Sequence, residues 1–406
     1  MIGLMIRELV TSPGATAKKR ILTKYDSAEI RQILKYTYNK EITYGVKPQP
    51  VSPINLFDRT EGLTAEELDL LNSLAARRLT GNAAHDAVNK STRLVKLILS
   101  RDIQCGVAAT TINKAMPGCI PQFKVQLAKE VPLSQVKFPK WAQLKYDGVR
   151  LIAIVKNLEV TFKTRNGKVV NLPMFKRRIE DACLSDCILD GEIVYGSGSM
   201  SDRTSVSGMI NSAIHGGLID ESKLEYVLFD YLTLNEFQGG YCHDTYIIRY
   251  NKVAKVVDML SYPITLARHQ LVNSADEVNT IVNQLYRDGM EGLILKDKSH
   301  LYTFKRSKDW IKIKEIKTAD LVVHTWQEGT GKYEGLIGAL YCTGKVEGKK
   351  VGVFVGSGLT DIDRLQPPEY YMNETIEIKY NSIIRDSRTG EWSLFLPRFV
   401  CIRHDK

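Results

Sequence analysis

The stretch Lys145-Tyr146-Asp147-Gly148-Val149-Arg150 is the densest group of chemistry-bearing side chains in the sequence. It places a lysine, a carboxylate and an arginine around a glycine, where one strand-like run must turn into the next. Gly148 permits such a turn because glycine adopts backbone conformations that are closed to other residues. A lysine acts as a nucleophile only as the neutral amine, which requires desolvation or neighbouring positive charge. Alone, the pattern is equally typical of a surface turn, so its meaning depends on the stretches that accompany it.

Two further stretches bring carboxylates to strand-like runs. In Leu189-Asp190-Gly191-Glu192, the two-residue period of a strand puts both carboxylates on one face. In Glu291-Gly292-Leu293-Ile294-Leu295-Lys296, a carboxylate and a lysine stand at opposite ends of an apolar run, where a buried charge needs a partner. Together with the first stretch, they indicate a site rather than a set of unrelated turns.

The stretch Trp310-Ile311-Lys312-Ile313-Lys314 alternates apolar and basic side chains. As a strand, it would place Lys312 and Lys314 on one face and pack the isoleucines behind. Two lysines on one face repel each other unless an anion lies between them, and a nucleotide phosphate would serve. Taken alone, the pattern is also typical of an edge strand that lysines protect.

Positive charge and predicted helices concentrate in the first third of the chain. The 406 residues carry a net charge of +10, and residues 1–130 hold 19 Lys and Arg against 12 Asp and Glu. This excess favours a polyanionic partner. We predict a helix over 64–79 with a capping box of Thr64 and Glu67, and a second helix over 85–99. The basic residues of such helices are also typical of an ordinary solvated face.

The remaining two thirds favour strands. Four prolines between 117 and 139 punctuate the chain, so we place a domain boundary near residue 130. Beyond it we predict strands at 149–155, 158–164, 188–194, 226–231 and 292–296, and helices at 174–182 and 275–287. After residue 315, short strands at 321–326, 351–355 and 375–380 with glycine turns are typical of a small β-barrel. The predicted domains are 1–130, 131–315 and 316–406.

The cysteines and the hydropathy exclude several protein classes. The seven cysteines are odd in number and scattered, unlike a disulfide framework or a zinc site, which favours a reducing compartment. No apolar run approaches the roughly 20 residues of a membrane span, and the first ten residues lack the apolar core of a signal peptide. We expect an intracellular protein that makes no membrane contact.

The ordered set of stretches resembles the ATP-dependent DNA ligases of the covalent nucleotidyltransferase superfamily. Its parts are KYDGVR, LDGE, the FDYL around Phe229, EGLILK, WIKIK and the terminal PRF with Arg403 and Lys406. Stretches 98–102 and 111–118 are similar to the helical DNA-binding domain of phage and eukaryotic replicative ligases. The architecture most resembles a bacteriophage three-domain ligase, which implies an all-α DNA-binding domain, an α+β nucleotidyltransferase (adenylation) domain and a β-barrel OB-fold domain.

This resemblance implies a reaction in three steps. Lys145 would attack the α-phosphorus of ATP and expel pyrophosphate, AMP would pass to the 5′-phosphate of a nick, and the 3′-hydroxyl would displace AMP. ATP and Mg²⁺ (or another divalent metal) are thus the implied cofactors, and nicked double-stranded DNA is the implied partner. The implied setting is DNA replication, repair and recombination by a monomer in the cytoplasm, that of the host if the chain is phage-encoded.

The resemblance also implies roles for individual residues. Gln143 would read the purine edge, Phe229 would stack on adenine, and Glu192 and Glu291 would bind the divalent metal or contact the ribose. The implied nucleotide-binding residues are Gln143, Arg150, Arg165, Glu192, Phe229, Arg306, Lys312 and Lys314. The implied DNA-binding residues are Arg165, Arg306, Arg101, Lys114, Arg398 and Arg403.

Other functions share part of this pattern. GTP-dependent mRNA capping or RNA ligation would use the same central stretches but would not be expected to carry the helical first third. An NAD-dependent ligase would carry a cysteine zinc finger, which is missing. A non-catalytic nucleic-acid-binding module would be expected to lose some of the site residues, such as Lys145 and Lys312.

Overall fold

The computed structural model of the chain describes residues 2–51, 62–196, 203–314, 317–386 and 389–404. The chain divides into two compact units, Met1–Ile313 and Lys314–Lys406. Across these described ranges, no helix is both long and apolar enough to cross a membrane.

The first third of the chain is helical. Its apolar faces meet in one core, where Ile6, Leu34, Leu74 and Ile98 are fully buried. The helices are α1 (Ile2–Thr11), α2 (Ala15–Lys24), α3 (Ala28–Tyr38), α4 (Ala65–Ala75), α5 (Gly81–Lys90), α6 (Arg93–Leu99) and α7 (Ala109–Ala115).

The two helices predicted here have different outcomes. The capping box of Thr64 and Glu67 is confirmed at the start of α4, which ends at Ala75. The predicted helix over 85–99 is instead two helices, α5 and α6, because Ser91 and Thr92 between them have extended backbones. The Ser91 hydroxyl donates to the Val88 carbonyl at 2.7 Å, which satisfies the end of α5 and supports the break.

The rest of the first unit is built on two sheets. In the described residues, the first sheet has the strand order β1-β11-β10-β2-β9 and the second has the order β5-β4-β3-β6-β7-β8. The strands are β1 (Leu127–Glu130), β2 (Lys140–Leu144), β3 (Val149–Lys156), β4 (Glu159–Thr164), β5 (Val169–Val170), β6 (Cys187–Tyr195), β7 (Leu224–Thr233), β8 (Ile264–Leu266), β9 (His269–Val272), β10 (Gly292–Lys296) and β11 (Arg306–Lys314). The helices are α8 (Pro173–Glu180), α9 (Arg203–Ile214), α10 (Leu234–Gly239), α11 (Tyr246–Met259) and α12 (Ala275–Arg287).

The predicted strands of this region are confirmed with small shifts at their ends. The hairpin of β3 and β4 turns at Asn157 and Leu158, whose φ angles of 51° and 67° lie in the left-handed region. The prediction had placed the turn at residues 156 and 157. The difference is one residue, because pattern alone locates element ends only to within a few residues.

The stretch around Lys145 joins the two sheets. It leaves β2 in the first sheet and enters β3 in the second. Gly148 is required here because the chain passes close to β6: a Cβ on Gly148 would lie 2.0 Å from the Ile193 carbonyl oxygen. The expected change of direction at Gly148 is confirmed, since the chain bends there between β2 and β3, and the close approach to β6 is a second reason for glycine.

The second unit contains a β-sheet with the order β16-β17-β14-β13-β12-β15-β18 among its described residues. Its pairs are antiparallel except for β14 with β17. The strands are β12 (Lys317–Glu328), β13 (Ile337–Val346), β14 (Lys349–Val355), β15 (Thr375–Tyr380), β16 (Ser382–Arg385), β17 (Trp392–Phe395) and β18 (Arg398–Ile402), and the helix α13 spans Asp361–Leu365. This agrees with the predicted run of short strands and glycine turns.

Candidate active site

Lys145 lies where the two sheets meet. Its backbone N–H donates to the Gly292 carbonyl at 2.9 Å, which continues the antiparallel pairing of β2 with β10. That pairing brings Glu291 beside it, and the Lys145 Nζ forms an ion pair with the Glu291 carboxylate. The two side chains are 23% and 26% exposed, so the pair is sheltered but can be reached by a ligand.

Arg150 on β3 forms an ion pair with Asp190 on β6, the neighbouring strand of the second sheet. Its guanidinium contacts both carboxylate oxygens of Asp190, with Nε at 2.8 Å, and Tyr302 donates to the same carboxylate at 2.9 Å. Asp190 is 1% exposed. A charge buried this deeply needs such a partner, so the structure shows Arg150 in a structural ion pair, and its contact with nucleotide stays a prediction.

Glu192 lies opposite Arg150 across β3 and β6. It forms no ion pair with any described residue. Burial raises the pKa of Glu192 to about 7, against the opposing effect of the positive charges of Arg150 and Lys145. The negative charge of Glu291 also raises the pKa of Glu192.

Phe229 belongs to a cluster of aromatic rings between the sheets. Its ring meets that of Trp310 edge-on at 5.8 Å, and the Arg150 guanidinium lies 5.4 Å from each ring. Phe229 is half-buried, so part of its ring remains available for stacking. Adenine stacking on Phe229 stays a prediction.

Lys296 extends into the same cluster. It is 1% exposed, and its Nζ lies 4.3 Å from the Trp310 ring centre and 5.0 Å from that of Phe229. Its Nζ donates to the Phe229 carbonyl at 3.5 Å, and burial lowers the pKa of Lys296 to about 7. The buried Lys296 was expected to have a partner. Its Nζ contacts aromatic rings and a carbonyl oxygen rather than a carboxylate.

Gln143 lies on β2 just before the lysine and is 3% exposed. Its side-chain amide donates to the Ala267 carbonyl at 2.9 Å, which fixes its orientation. Lys312 on β11 lies 3.5 Å from the Glu130 carboxylate. Ile311, on the opposite face of the strand, is buried, as the alternating pattern predicted. Arg306 is exposed and donates to the Ala128 carbonyl.

Three of the predicted phosphate- and DNA-binding residues differ in exposure. Arg165 follows β4 and is exposed, and Lys114 is exposed in the last turn of α7. Arg101 donates to the carbonyls of Tyr36, Thr37, Asn39 and Ile42. The structure therefore shows Arg101 supporting the chain after α3, and its direct contact with DNA stays a prediction.

The second unit holds Lys314, Arg398 and Arg403. The Lys314 Nζ donates to the Asn381 side chain at 3.4 Å, and Arg398 is exposed on β18. The Arg403 guanidinium forms an ion pair with Asp320 at 3.0 Å. Lys406 lies outside the described residues.

Two buried contacts near the site were not predicted: those of Gln126, and the pairing of Asp230 of the FDYL stretch with Arg249. Gln126 is fully buried, accepts from the Thr303 N–H at 3.0 Å through its side chain, and accepts from Arg150 through its carbonyl. Asp230 and Arg249 form a buried ion pair at 2.7 Å. Their partners come from distant parts of the chain, so spacing along the sequence does not reveal them.

The donor set fits a hard divalent cation such as Mg²⁺. The described residues include no group of three or more His, Cys, Asp and Glu that could enclose an ion. Glu192 and Glu291 offer two carboxylates, and Mg²⁺ in proteins commonly takes one or two carboxylates together with water and substrate phosphate. The residues thus fit a magnesium ion held jointly with a nucleotide.

Two sheets that meet at a lysine, with carboxylates, a second lysine and an aromatic ring around it, define a covalent nucleotidyltransferase. Residues 124–314 match the model of the ATP dependent DNA ligase domain, and residues 328–403 match that of the DNA ligase OB-like domain. The chain belongs to the ATP-dependent DNA ligases.

The relatives extend the similarity to the whole chain. It is 27% identical to the DNA ligase of Enterobacteria phage T4 and 26% identical to that of Enterobacteria phage T6, in each case over 100% of this chain and 96% of the relative. The solved structure Pmar-Lig_PreS3 superposes with a TM-score of 0.80 at 25% identity and covers 99% of each chain. The similarity thus includes the helical first third, which neither domain model reaches.

Proposed function

We propose that this chain seals nicks in duplex DNA that carry a 5′-phosphate and a 3′-hydroxyl, using ATP and a covalent AMP on Lys145. The observation that carries the proposal is the position of Lys145, paired with Glu291 where the two sheets meet. Action as an intracellular, cytoplasmic monomer in DNA replication, repair and recombination is part of the same proposal.

In the first step, the Lys145 Nζ forms a bond to the α-phosphorus of ATP, and the bond to the pyrophosphate oxygen breaks. The ammonium must first separate from Glu291 and lose a proton to water, because only the neutral amine is a nucleophile. Lys312 provides positive charge for the phosphate oxygens on which negative charge develops. Gln143 and Phe229 orient the purine.

Glu192 and Glu291 are the residues that would hold Mg²⁺. The ion would neutralise phosphate charge. Glu291 then has two proposed partners, because its carboxylate is paired with Lys145 in this structure. Separation of the Glu291 carboxylate from Lys145 would remove the negative charge that stabilises the lysine ammonium and would favour its deprotonation.

In the later steps, arginines and lysines bind the DNA. Arg165 and Arg306 are proposed to hold the 5′-phosphate, since a guanidinium fork matches phosphate geometry. The basic helical part, including Lys114, is proposed to bind the duplex backbone, with Arg398 and Arg403 contributing from the second unit. Such binding should weaken steeply as salt is raised.

A labelling experiment without DNA tests the first step. The purified chain is incubated with Mg²⁺ and either ATP or GTP labelled at the α-phosphate, and the 45.8 kDa band is examined for an acid-labile adduct. We expect label from ATP alone. Label from GTP would support a capping enzyme, and the absence of label from both nucleotides would refute the enzymatic proposal.

A further inference from the structure

The helical part touches the hairpin of β4 and β5 through one acidic side chain. Glu41 lies in the segment that follows α3, and its carboxylate is 3.2 Å from the Nζ of Lys163 on β4. The two side chains are 34% and 24% exposed, so this ion pair is partly shielded from solvent. It links parts of the chain that are far apart in sequence but belong to one compact unit.

The fit around this ion pair is close. Gly167, in the turn between β4 and β5, has a φ of +84°. A Cβ at Gly167 would lie 2.8 Å from the Glu41 carboxylate and 2.8 Å from the Phe123 Cβ. The Lys163 Nζ also lies 5.3 Å from the centre of the Phe123 ring. The turn therefore packs directly against Glu41 and Phe123, and only glycine fits at this position.

Arg165 is carried by the same turn. The Gly167 N–H donates to the Thr164 carbonyl at 2.8 Å, and the Thr164 N–H donates to the Lys168 carbonyl at 2.8 Å. These bonds make the turn a fixed loop in which Arg165 is exposed at the tip. Whatever holds the turn in place therefore also sets the position of the Arg165 backbone.

Arg101 supports Glu41 from the other side. Its guanidinium donates to four carbonyls between Tyr36 and Ile42, and it lies 4.6 Å from the Tyr44 ring centre. The Glu41 N–H donates to the Asn39 side chain at 3.0 Å. The segment that presents Glu41 is thus held in shape by a half-buried arginine.

We propose that Glu41 is a positioning residue for nick recognition: through Lys163 it holds the turn that carries Arg165, so that the helical part sets how that arginine meets the 5′-phosphate. This inference rests on the proposed function of the chain. It also gives Arg101 a role in ligation that requires no contact with DNA.

The test separates recognition of the nick from the reaction with ATP. Glu41→Gln and Lys163→Met are each prepared in the full chain and pre-adenylated. AMP transfer is then measured on nicked duplexes, and binding is compared between nicks with a 5′-phosphate and nicks with a 5′-hydroxyl. We expect each variant to label with ATP as the parent does and to lose about fivefold in its preference for the 5′-phosphate, as for a partly exposed ion pair.

Three controls make the result specific. Asp69→Asn removes one negative charge from an exposed pair with Arg78 elsewhere in the helical part, and it should leave the phosphate preference unchanged. The double variant of Glu41→Gln and Lys163→Met should lose no more than either single variant, because both remove one interaction. The charge-swapped protein with Glu41→Lys and Lys163→Glu should regain most of the preference.

The outcomes also distinguish this inference from the proposed function. An unchanged phosphate preference in Glu41→Gln, or an equal loss in Asp69→Asn, would overturn the role of Glu41 while the adduct on Lys145 remains. A loss of labelling in Glu41→Gln that matches its loss of nick recognition would also overturn that role, because it would indicate general damage. Failure of the parent chain to label with ATP would refute the proposed function itself.

Discussion

Arg150, near the start of β3, and Arg165, just after β4, belong to the same β-hairpin, yet their surroundings differ. The guanidinium of Arg150 is occupied by a carboxylate that is 1% exposed, and it is also surrounded by aromatic rings. Arg165 is exposed on a turn. The comparison shows that one arginine is built into the protein interior while the other reaches solvent, where our proposal has it hold the 5′-phosphate.

The largest expected effect concerns the lysine that this framework surrounds. Lys145→Ala should abolish both the AMP adduct and the sealing of unadenylated nicks, because no other group can replace the nucleophile. Labelling with ATP and gel analysis of nick sealing measure the two losses. Lys156→Ala, at an exposed position at the end of β3, serves as the control and should retain both activities. Sealing of unadenylated nicks by Lys145→Ala would contradict the assignment.

The main expected effect of Arg150→Met is a lower free energy of unfolding. It leaves the buried Asp190 carboxylate unpaired, and breaking a buried ion pair in this way costs about 3–5 kcal/mol. Urea unfolding followed by circular dichroism measures the loss. The double variant of Arg150→Met and Asp190→Leu should recover part of it, since no unpaired charge remains. If Arg150→Met unfolds at the same urea concentration as the parent, the structural role of Arg150 is wrong.

Arg165→Met should show the opposite pattern. Its unfolding should differ from that of the parent by less than about 0.5 kcal/mol, as is usual for exposed positions. AMP transfer to a nick with a 5′-phosphate should fall about tenfold to a hundredfold, the range for a lost charge-assisted hydrogen bond. Rapid-quench measurement with pre-adenylated protein gives the rate. If Arg165→Met lowers the free energy of unfolding but leaves the rate of AMP transfer unchanged, the role proposed for Arg165 is wrong.

The pH dependence of Mg²⁺ binding should show whether the Glu192 carboxyl is a metal ligand. With a pKa of about 7, its carboxyl is protonated and neutral below pH 7 and ionised above it. Since a metal ligand must be deprotonated, the apparent affinity for Mg²⁺ in self-adenylation should fall about tenfold per pH unit below 7 and level off above it. Titration of Mg²⁺ between pH 5.5 and 8.5 measures this, and Glu192→Gln should lose this pH dependence. A parent profile identical to that of Glu192→Gln would exclude Glu192 as the titrating ligand.

Local patterns in the sequence predicted much of the fold. The alternation in WIKIK correctly placed Ile311 in the core, and the Thr64 capping box correctly started α4. These features depend on neighbours a few residues apart, which a single sequence displays. The division of 85–99 into two helices was not predicted, because Ser91 and Thr92 fit a helix poorly but do not forbid one.

Long-range partners were outside the reach of the sequence. The pattern showed that Lys296 ends a buried strand, but not that its charge lies among rings from three other elements. Likewise, Glu41 carries no motif, and its significance depends on a lysine that only the folded chain brings within 3.2 Å.

The sequence by itself determined the family and the order of its characteristic stretches, and it is the basis on which Lys145 is proposed as the nucleophile, because the chemistry requires particular side chains at short, fixed spacings. Only the tertiary structure decided which charged side chains are buried in contacts within the protein and which are exposed at its surface. The physical reason is that burial and ion pairing depend on which strands and helices pack together. Arg101, Arg150 and Arg165 have the same side chain, but the packing around each one gives it different surroundings and a different exposure.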